Sequence, residues 1–173
     1  MAAVGTLDER QFRAGLVESV KHALIADSEY FDYLHSLDSL NLARRLDGFC
    51  AKFNRILPVL LEFNVSGEES KSGWPAWDEA HWVGLLDEIQ EILQLPHLQV
   101  GGLMAMPPYF EVAERSRPYF KRLRKLQEYL VRNLPQVGWQ ELSMGMSGDF
   151  EIAVQEGATW VRVGQAILGA RPG

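Results

Sequence analysis

A double repeat of strand, small-residue turn and helix near the end of the chain constrains the fold more than any other feature. It occupies residues 142–171, LSMGMSGDFEIAVQEGATWVRVGQAILGAR. The first strand ends at the turn Ser147-Gly148-Asp149, and Gly157 is placed to cap the helix that follows. The second strand, residues 160–163, breaks at Gly164. Such a repeat predicts parallel strands with helices packed against them, because each helix returns the chain to the same end of the sheet.

The two turns of this repeat are candidates for an anion site. Ser147 in the first turn, and Gly164 and Gln165 in the second, are small or polar residues at predicted helix N-termini. Backbone N–H groups at such positions hold phosphate in chains that lack a P-loop, and loops after the last two strands of a barrel commonly form such a site. Alternatively, Gly148 and Gly164 only turn the chain tightly. Two such turns in tandem favour the anion site.

The rest of the chain repeats the alternation of strand and helix. Residues 58–64 (PVLLEFN) are almost continuously apolar, which is typical of a parallel strand buried on both faces. A polar loop, residues 65–73, follows and is a candidate functional loop. Apolar spacing also predicts strands at residues 30–34 and 98–106, a turn at 36–39 that caps a helix, and helices at 16–25, 40–53, 77–93, 111–133 and 150–156, the last with Phe150, Ala153 and Val154 on its apolar face.

Composition limits the class of protein. With 173 residues and 47% hydrophobic residues, the chain suits one domain, residues 1–173, of which 1–14 are weakly patterned. A net charge of −6 argues against a nucleic-acid or anionic-membrane binder. Cys50 is the single cysteine, so neither an internal disulfide nor a thiolate metal cluster is predicted. Without a recognisable signal sequence or membrane span, a cytoplasmic location and no metal site are predicted.

Four motifs, in order and at similar spacing, resemble the pyridoxal phosphate homeostasis proteins. They are HSLDSLNLA (35–43), EFNVSGEESKSG (62–73), GGLMAMPP (101–108) and residues 141–171. The resemblance covers nearly all of the chain from Gly15 onward. It implies an α/β fold, a (β/α)₈ TIM-type barrel of the alanine racemase kind, with pyridoxal 5′-phosphate (PLP) at the C-terminal ends of the strands. Members of this family are thought to bind, buffer or deliver the cofactor, without an established catalytic activity.

The resemblance also implies which residues hold the cofactor. Ser147 matches the serine that contacts the phosphate, and Gly164 and Gln165 match positions whose backbone amides hold it. Arg162 matches the arginine that faces the pyridine nitrogen. Three further matches lie in or near the cofactor pocket, namely Asn64, Ser36 and Met104.

The sequence around Arg162 supports an interior position for its side chain. Arg162 alternates with Val161 and Val163, so it leaves the helix-packing face of the strand. A guanidinium in the interior needs an acceptor, which is either the cofactor's ring nitrogen or a carboxylate such as Glu62. A cationic partner keeps the ring nitrogen unprotonated and weakens the ring as an electron sink, which suits holding the cofactor better than carbanion chemistry.

The chain departs from the family pattern at its beginning. The first two β-α units are not recognised, and with them the lysine that forms the Schiff base and a Gly-Glu-Asn motif. Gln165 stands where many members have threonine. The lysines of this chain are all predicted to be surface groups: Lys21, Lys52, Lys71, Lys121 and Lys125. An incomplete barrel is therefore predicted, and a non-catalytic PLP-binding protein whose cofactor binding is weak or non-covalent.

Two other functions are compatible with the sequence. A racemase-like PLP enzyme would need a lysine base and an opposing acid, and neither is identified. A cofactor-free interaction module, or a truncated gene product, would expose sheet edges and an apolar barrel interior, and could self-associate through those edges.

Overall fold

The computed structural model describes residues 32–169, and the predicted helix at 16–25, residues 1–14 and Lys21 lie outside that range. Six strands are described: β1 Leu34–Leu37, β2 Leu57–Asn64, β3 Trp74–Pro75, β4 Leu98–Met104, β5 Glu141–Met146 and β6 Trp160–Arg162. The α-helices are α1 Leu40–Lys52, α2 Leu85–Leu93, α3 Arg117–Asn133, α4 Phe150–Gln155 and α5 Gln165–Leu168. Two 3₁₀ segments, Glu79–Gly84 and Ala113–Ser116, precede α2 and α3.

The strands form one parallel sheet in the order β1-β2-β4-β5-β6, with the two-residue β3 paired to β2. Spatial order therefore follows chain order, as it does in a (β/α)-barrel and not in a doubly wound sheet. The pairing brings Glu62 of β2 opposite Met104 of β4, and Met146 of β5 opposite Arg162 of β6. The predicted α/β barrel class is confirmed for the strands described.

The sheet is strongly curved. His35 of β1 lies with its Nδ1 2.9 Å from the Ser143 Oγ of β5, and its ring centroid is 5.4 Å from that of Trp160 in β6. Because β1 and β6 are the two ends of the described strand order, such contacts require the ends to approach across one face. We call this face the concave face. The other face packs against the helices.

The helix-facing side carries the apolar core. Leu61, Leu103 and Met144 of the strands are completely buried there, against Ile89 of α2 and Phe120 of α3. Burial of each such side chain contributes roughly 1.5–3 kcal/mol, so this layer is the main source of stability. Cys50 of α1 belongs to the same layer as a free, buried thiol.

Three predicted boundaries are wrong. The strand predicted at 30–34 is β1, Leu34–Leu37, so Ser36 and Leu37 are extended and do not turn. Leu37 is fully buried and pairs with Leu61, which holds it in the sheet. The helices predicted from 77 and 111 begin as 3₁₀ segments, and their α-helical parts begin only at Leu85 and Arg117. Pro118 explains the second case, since proline is accommodated in the first turn of a helix.

One side-chain prediction also needs correction. Val154 was expected on the apolar face of its helix but is 55% exposed, because α4 has six residues and buries only Ala153. The lysines of α3 were predicted to be surface groups, and Lys121 and Lys125 are exposed. On the same helix, Arg117 and Arg124 both form ion pairs with the buried carboxylate of Glu156.

The caps and turns were predicted more accurately. Ser39 caps α1 by accepting the Leu42 N–H, and Gly157 follows α4 with a φ of +94°. None of the helices within residues 32–169 has the length and apolar composition that a membrane crossing requires. Within the same residues, His, Cys, Asp and Glu side chains form no cluster of three or more suited to a metal ion.

Candidate functional site at the ends of β5 and β6

The two predicted turns meet in the structure. Ser147, directly after β5, accepts a hydrogen bond on its Oγ from the backbone N–H of Ala166, at 3.0 Å. Ala166 is in α5, the short helix that follows β6. In the first turn, the Asp149 carboxylate accepts the Met146 N–H at 2.7 Å, which fixes the chain as it leaves the strand. The tandem repeat thus brings its two turns to one place.

Gly145 sets the shape of the first turn, although the sequence pattern pointed to Gly148. Gly145 has a φ of +94°, and a Cβ there would lie 2.6 Å from the Cβ of Ala153. The close approach lets α4 pack directly on the end of β5. A glycine between two methionines of a strand is the sequence signal that could have identified it.

Gly164 and Gln165 begin α5 and are exposed. The Gly164 carbonyl accepts the N–H groups of Ile167 and Leu168 at 3.0 and 2.8 Å, so the chain turns sharply into the helix. These residues therefore lie next to Ser147, as expected, with their backbone close to the surface.

Arg162 is the last residue of β6 and precedes the second turn. Its Nη2 donates to the Ala105 carbonyl at 3.1 Å, while its buried Nε has no hydrogen-bond partner in the part of the chain that the structure describes. Burial lowers the pKa of Arg162, and the charges of Glu62 and Asp149 oppose that shift. The predicted interior position is borne out by this burial. Glu62, itself 4% exposed, supplies the compensating carboxylate that was the alternative partner.

The concave face carries a polar cluster that the sequence analysis missed. His35 and the fully buried Ser143 are in hydrogen-bond contact, and the rings of Tyr33 and Trp160 pack on His35. Glu141 accepts hydrogen bonds from Trp160 Nε1 at 2.5 Å and from the Thr159 hydroxyl at 2.7 Å. The apolar interior expected of an incomplete barrel is therefore wrong for this part of the face. Ser143 alternates with Leu142 and Met144, and that alternation was the available signal.

His35 is electrostatically constrained in this cluster. Burial lowers the pKa of its imidazole, the nearby Arg162 charge lowers it further, and Glu141 acts in the opposite direction. The neutral form is therefore favoured, which suits a ring that hydrogen-bonds to a buried hydroxyl. Among the described residues of the concave face, the charge of Arg162 therefore lies near an imidazole whose neutral form is favoured.

Asn64 is engaged by the loop that follows it. Its side-chain amide donates to the carbonyls of Glu68 and Lys71, at 2.9 and 3.4 Å. Its oxygen accepts the N–H groups of Ser66 and Gly67, at 3.1 and 2.9 Å. Asn64 therefore organises the polar loop 65–73 with both ends of its side chain.

The remaining predicted residues lie on other strands. Met104 is buried on β4, opposite Glu62. Ser36 is half-buried on β1, at the far end of the described strand order from β6. A cavity of about 230 Å³ is lined by Ser147, Asp149 and Glu151, and neither Gly164 nor Gln165 lines it. The two carboxylates disfavour phosphate inside this cavity, which is therefore not the place where the two turns meet.

Comparison with known proteins gives the context of this geometry. Residues 8–172 match the family model of the alanine racemase N-terminal domain. The pyridoxal phosphate homeostasis protein of Aquifex aeolicus is 44% identical over 138 residues, which cover 80% of this chain and 58% of that protein. The protein of the same name from Pseudomonas aeruginosa is 44% identical over 159 residues, 91% of this chain and 63% of its own length. The chain thus spans about three fifths of these relatives.

Solved structures of similar proteins have the same fold. PipY of Synechococcus elongatus, determined without PLP, superimposes with a TM-score of 0.75 at 32% identity, covering 96% of this chain and 69% of PipY. PipY with PLP bound gives a TM-score of 0.72 at the same identity, covering 96% and 68%. Alanine racemase of Clostridium difficile, 13% identical with a TM-score of 0.64 over 98% of this chain and 41% of its own, shares the fold. The resemblance inferred from the four motifs is confirmed.

Proposed function

Because the chain belongs to the alanine racemase N-terminal domain family, we propose that it binds PLP and holds it without catalysing a reaction of its own. Its relatives at 36–44% identity are named as homeostasis proteins, and PipY has been solved with PLP bound. The observation that carries the proposal is the buried Nε of Arg162, which lacks a hydrogen-bond partner among the described residues. A buried, unpaired donor is costly, and an aromatic ring nitrogen is an acceptor that would satisfy it.

The phosphate would be held where the two turns meet. Ser147 would contact it through its hydroxyl, and Gly164 and Gln165 through their backbone N–H groups. The Ser147–Ala166 hydrogen bond supports this assignment, because it holds the two turns against one another before any ligand arrives. Such preorganisation reduces the entropic cost of binding.

Arg162 determines what a bound cofactor can do. PLP supplies an electron-withdrawing pyridine ring and an aldehyde, and its strength as an electron sink depends on protonation of the ring nitrogen. A guanidinium donates hydrogen bonds and accepts none, so Arg162 cannot accept a hydrogen bond from a protonated ring nitrogen. The charges of Glu62 and Asp149 keep Arg162 cationic despite its burial. Arg162 therefore favours holding the cofactor over carbanion chemistry.

The other predicted residues would act less directly. We expect Asn64 to shape the rim of the site through the loop 65–73, since its side chain is already hydrogen-bonded to that loop. Met104 would provide an apolar wall, and Ser36 would lie at the opposite side of the concave face.

We further propose that the described lysines do not hold the cofactor covalently. Lys52, Lys121 and Lys125 are exposed on helices, and Lys71 lies in the polar loop, so none of these four is on a strand. Binding through phosphate and ring nitrogen alone would be weak, because no covalent bond adds to it. We propose that the ligand is a small molecule, that the chain binds no nucleic acid and that it is cytoplasmic. Self-association through sheet edges stays a prediction.

The proposal is tested by titrating the protein with PLP, reducing with borohydride and mapping pyridoxyl-lysine by mass spectrometry. We expect saturable binding followed by full release of the cofactor after reduction and denaturation. Absence of saturable binding contradicts the cofactor role itself. A stoichiometric adduct on Lys52, Lys71, Lys121 or Lys125 leaves the role intact but contradicts non-covalent binding.

A further inference from the structure

A second cavity has a volume of about 510 Å³. Its lining includes Arg115, Arg122, Trp77, Phe110, Tyr119 and Ser66. None of these is Ser147, Arg162, Gly164 or Gln165. The volume falls within the range of small-molecule sites in proteins, roughly 300–1,000 Å³.

Two arginines and two of the aromatic rings that line this cavity are in contact with one another. The rings of Phe110 and Tyr119 stack with centroids 5.7 Å apart and planes 21° from parallel. The guanidinium of Arg115 lies 4.8 Å from the Phe110 centroid, and that of Arg122 lies 5.9 Å from the Tyr119 centroid. Each cation is thus held near a ring face, a geometry that attracts it electrostatically and limits its movement.

The two guanidinium groups differ from their neighbours in lacking a carboxylate. On α3, which carries Arg122 and follows Arg115, Arg117 and Arg124 pair with Glu156, and Lys125 pairs with Glu79 at 3.2 Å. Within residues 32–169, neither Arg115 nor Arg122 has a carboxylate at ion-pair distance. Arg122 uses one N–H on the Val65 carbonyl, at 2.5 Å, which leaves its other donors available.

This local excess of positive charge contrasts with the whole chain, whose net charge is −6. Both charged residues that line the cavity are arginines. Planar guanidinium groups match the geometry of phosphate and carboxylate oxygens. The cavity therefore favours an anionic group.

Trp77 adds an aromatic surface to the cavity. It is 41% exposed, and its ring is supported by Gly67, where a Cβ would lie 3.1 Å from the tryptophan Cγ. Gly67 belongs to the loop that Asn64 organises, so the ring rests on an anchored segment. An exposed indole backed in this way can stack on a planar ring.

From this arrangement we infer that the cavity binds a small anion that carries a heteroaromatic ring, of about the size of a mononucleotide. Arg115 and Arg122 would supply the positive charge that attracts its phosphate, and Trp77 would stack on its ring. Ser66 of this cavity hydrogen-bonds to Asn64, but none of the residues that line the cavity is itself proposed to contact PLP, so the inference does not depend on that proposal.

Equilibrium dialysis of the full chain with adenosine 5′-monophosphate (AMP) tests the inference, with adenosine and inorganic phosphate as separate probes. We expect AMP to bind at one site, and each probe alone to bind at least about tenfold more weakly. Arg115→Gln should weaken AMP binding by about tenfold or more, because it removes a charge-assisted contact. Arg115 is exposed, so this variant should fold normally. Arg122→Gln should weaken binding similarly.

Two variants serve as controls. Arg132→Gln removes an exposed charge from the last turn of α3, away from the cavity, and should leave AMP binding unchanged. Arg162→Met should also leave it unchanged, because Arg162 does not line this cavity. No saturable AMP binding, equal binding by Arg115→Gln and the unmodified chain, or loss of binding in Arg162→Met would each overturn the inference.

Discussion

The two faces of the curved sheet differ in how completely their side chains are satisfied. The helix-facing side is apolar and closely packed, with Phe120, Leu103 and Met144 fully buried. The concave face carries His35, Ser143 and Arg162, and one buried donor of Arg162 has no partner among the described residues. Both faces belong to the same strands, because successive residues point in opposite directions.

Because of this difference, we assign the stability of the fold mainly to one face of the sheet and ligand binding to the other. Apolar packing on the helix side fixes the strands and therefore the positions of the residues between them. Polar groups on the concave face contribute less to stability, and the unpaired Arg162 Nε costs stability until a ligand satisfies it. Substitutions on the two faces should therefore have different consequences, and the following experiments test that difference.

The largest loss of stability is expected from a substitution on the helix-facing side of the sheet. Phe120→Ala should lower the free energy of unfolding by about 3–5 kcal/mol, because it leaves a cavity in the packed layer. Val131→Ala, on the same helix but 46% exposed, should change it by less than about 1 kcal/mol. Chemical denaturation measures both. Similar losses for the two variants would show that α3 does not bury Phe120 as described.

An intermediate loss of stability is expected from a substitution at Gly145, at the end of β5 where α4 packs. Gly145→Ala should cost about 1–3 kcal/mol, because the residue has a positive φ and its Cβ would meet the Cβ of Ala153. Gly148→Ala, three residues later in the same turn, has its nearest atom 3.8 Å away and should be tolerated. Thermal unfolding of the pair distinguishes them, and an unchanged melting temperature for Gly145→Ala would contradict the turn geometry.

A smaller, pH-dependent effect is expected from the concave face. Burial and Arg162 lower the pKa of folded His35 below its ordinary value of 6.5, so the unfolded chain binds the proton more tightly. The stability contribution is therefore complete above about pH 6.5 and declines as the pH falls below that value. His35→Gln should lose this decline, whereas His81→Gln, at an exposed position, should retain it. Denaturation midpoints at pH 8 and pH 5.5 would test this, and identical pH dependence in all three proteins would contradict it.

Local sequence patterns predicted most of the sheet. The strand predicted at 58–64 is β2, Leu57–Asn64, and the helix predicted at 40–53 is α1, Leu40–Lys52. Both follow from apolar periodicity that is confined to a short segment. The position of β1 could not be obtained in this way, because Leu37 is held in the sheet by its pairing with Leu61, a contact between distant segments.

The candidate site likewise combines features that follow from local sequence with features that depend on contacts between distant segments. Alternation along β6 correctly predicted that Arg162 leaves the helix-packing face, since strand periodicity is local. The contact between His35 and Ser143 joins residues 108 positions apart, and no spacing rule predicts it. Asn64 stays predicted near the cofactor pocket, but its hydrogen bonds to the loop backbone could not be predicted, because they depend on the loop's three-dimensional path.

The most direct test of the account is the PLP affinity of Arg162→Met, compared with the unmodified chain. Methionine is similar in length but apolar, so it removes the unpaired Nε and the buried charge. We expect PLP binding to weaken by at least about tenfold. The free energy of unfolding should fall as well, because the buried Glu62 carboxylate loses a charge that compensates it. Arg132→Met, at an exposed position on α3, should change neither quantity. Equal PLP affinity in Arg162→Met and the unmodified chain would contradict the proposal that Arg162 faces the ring nitrogen of the cofactor.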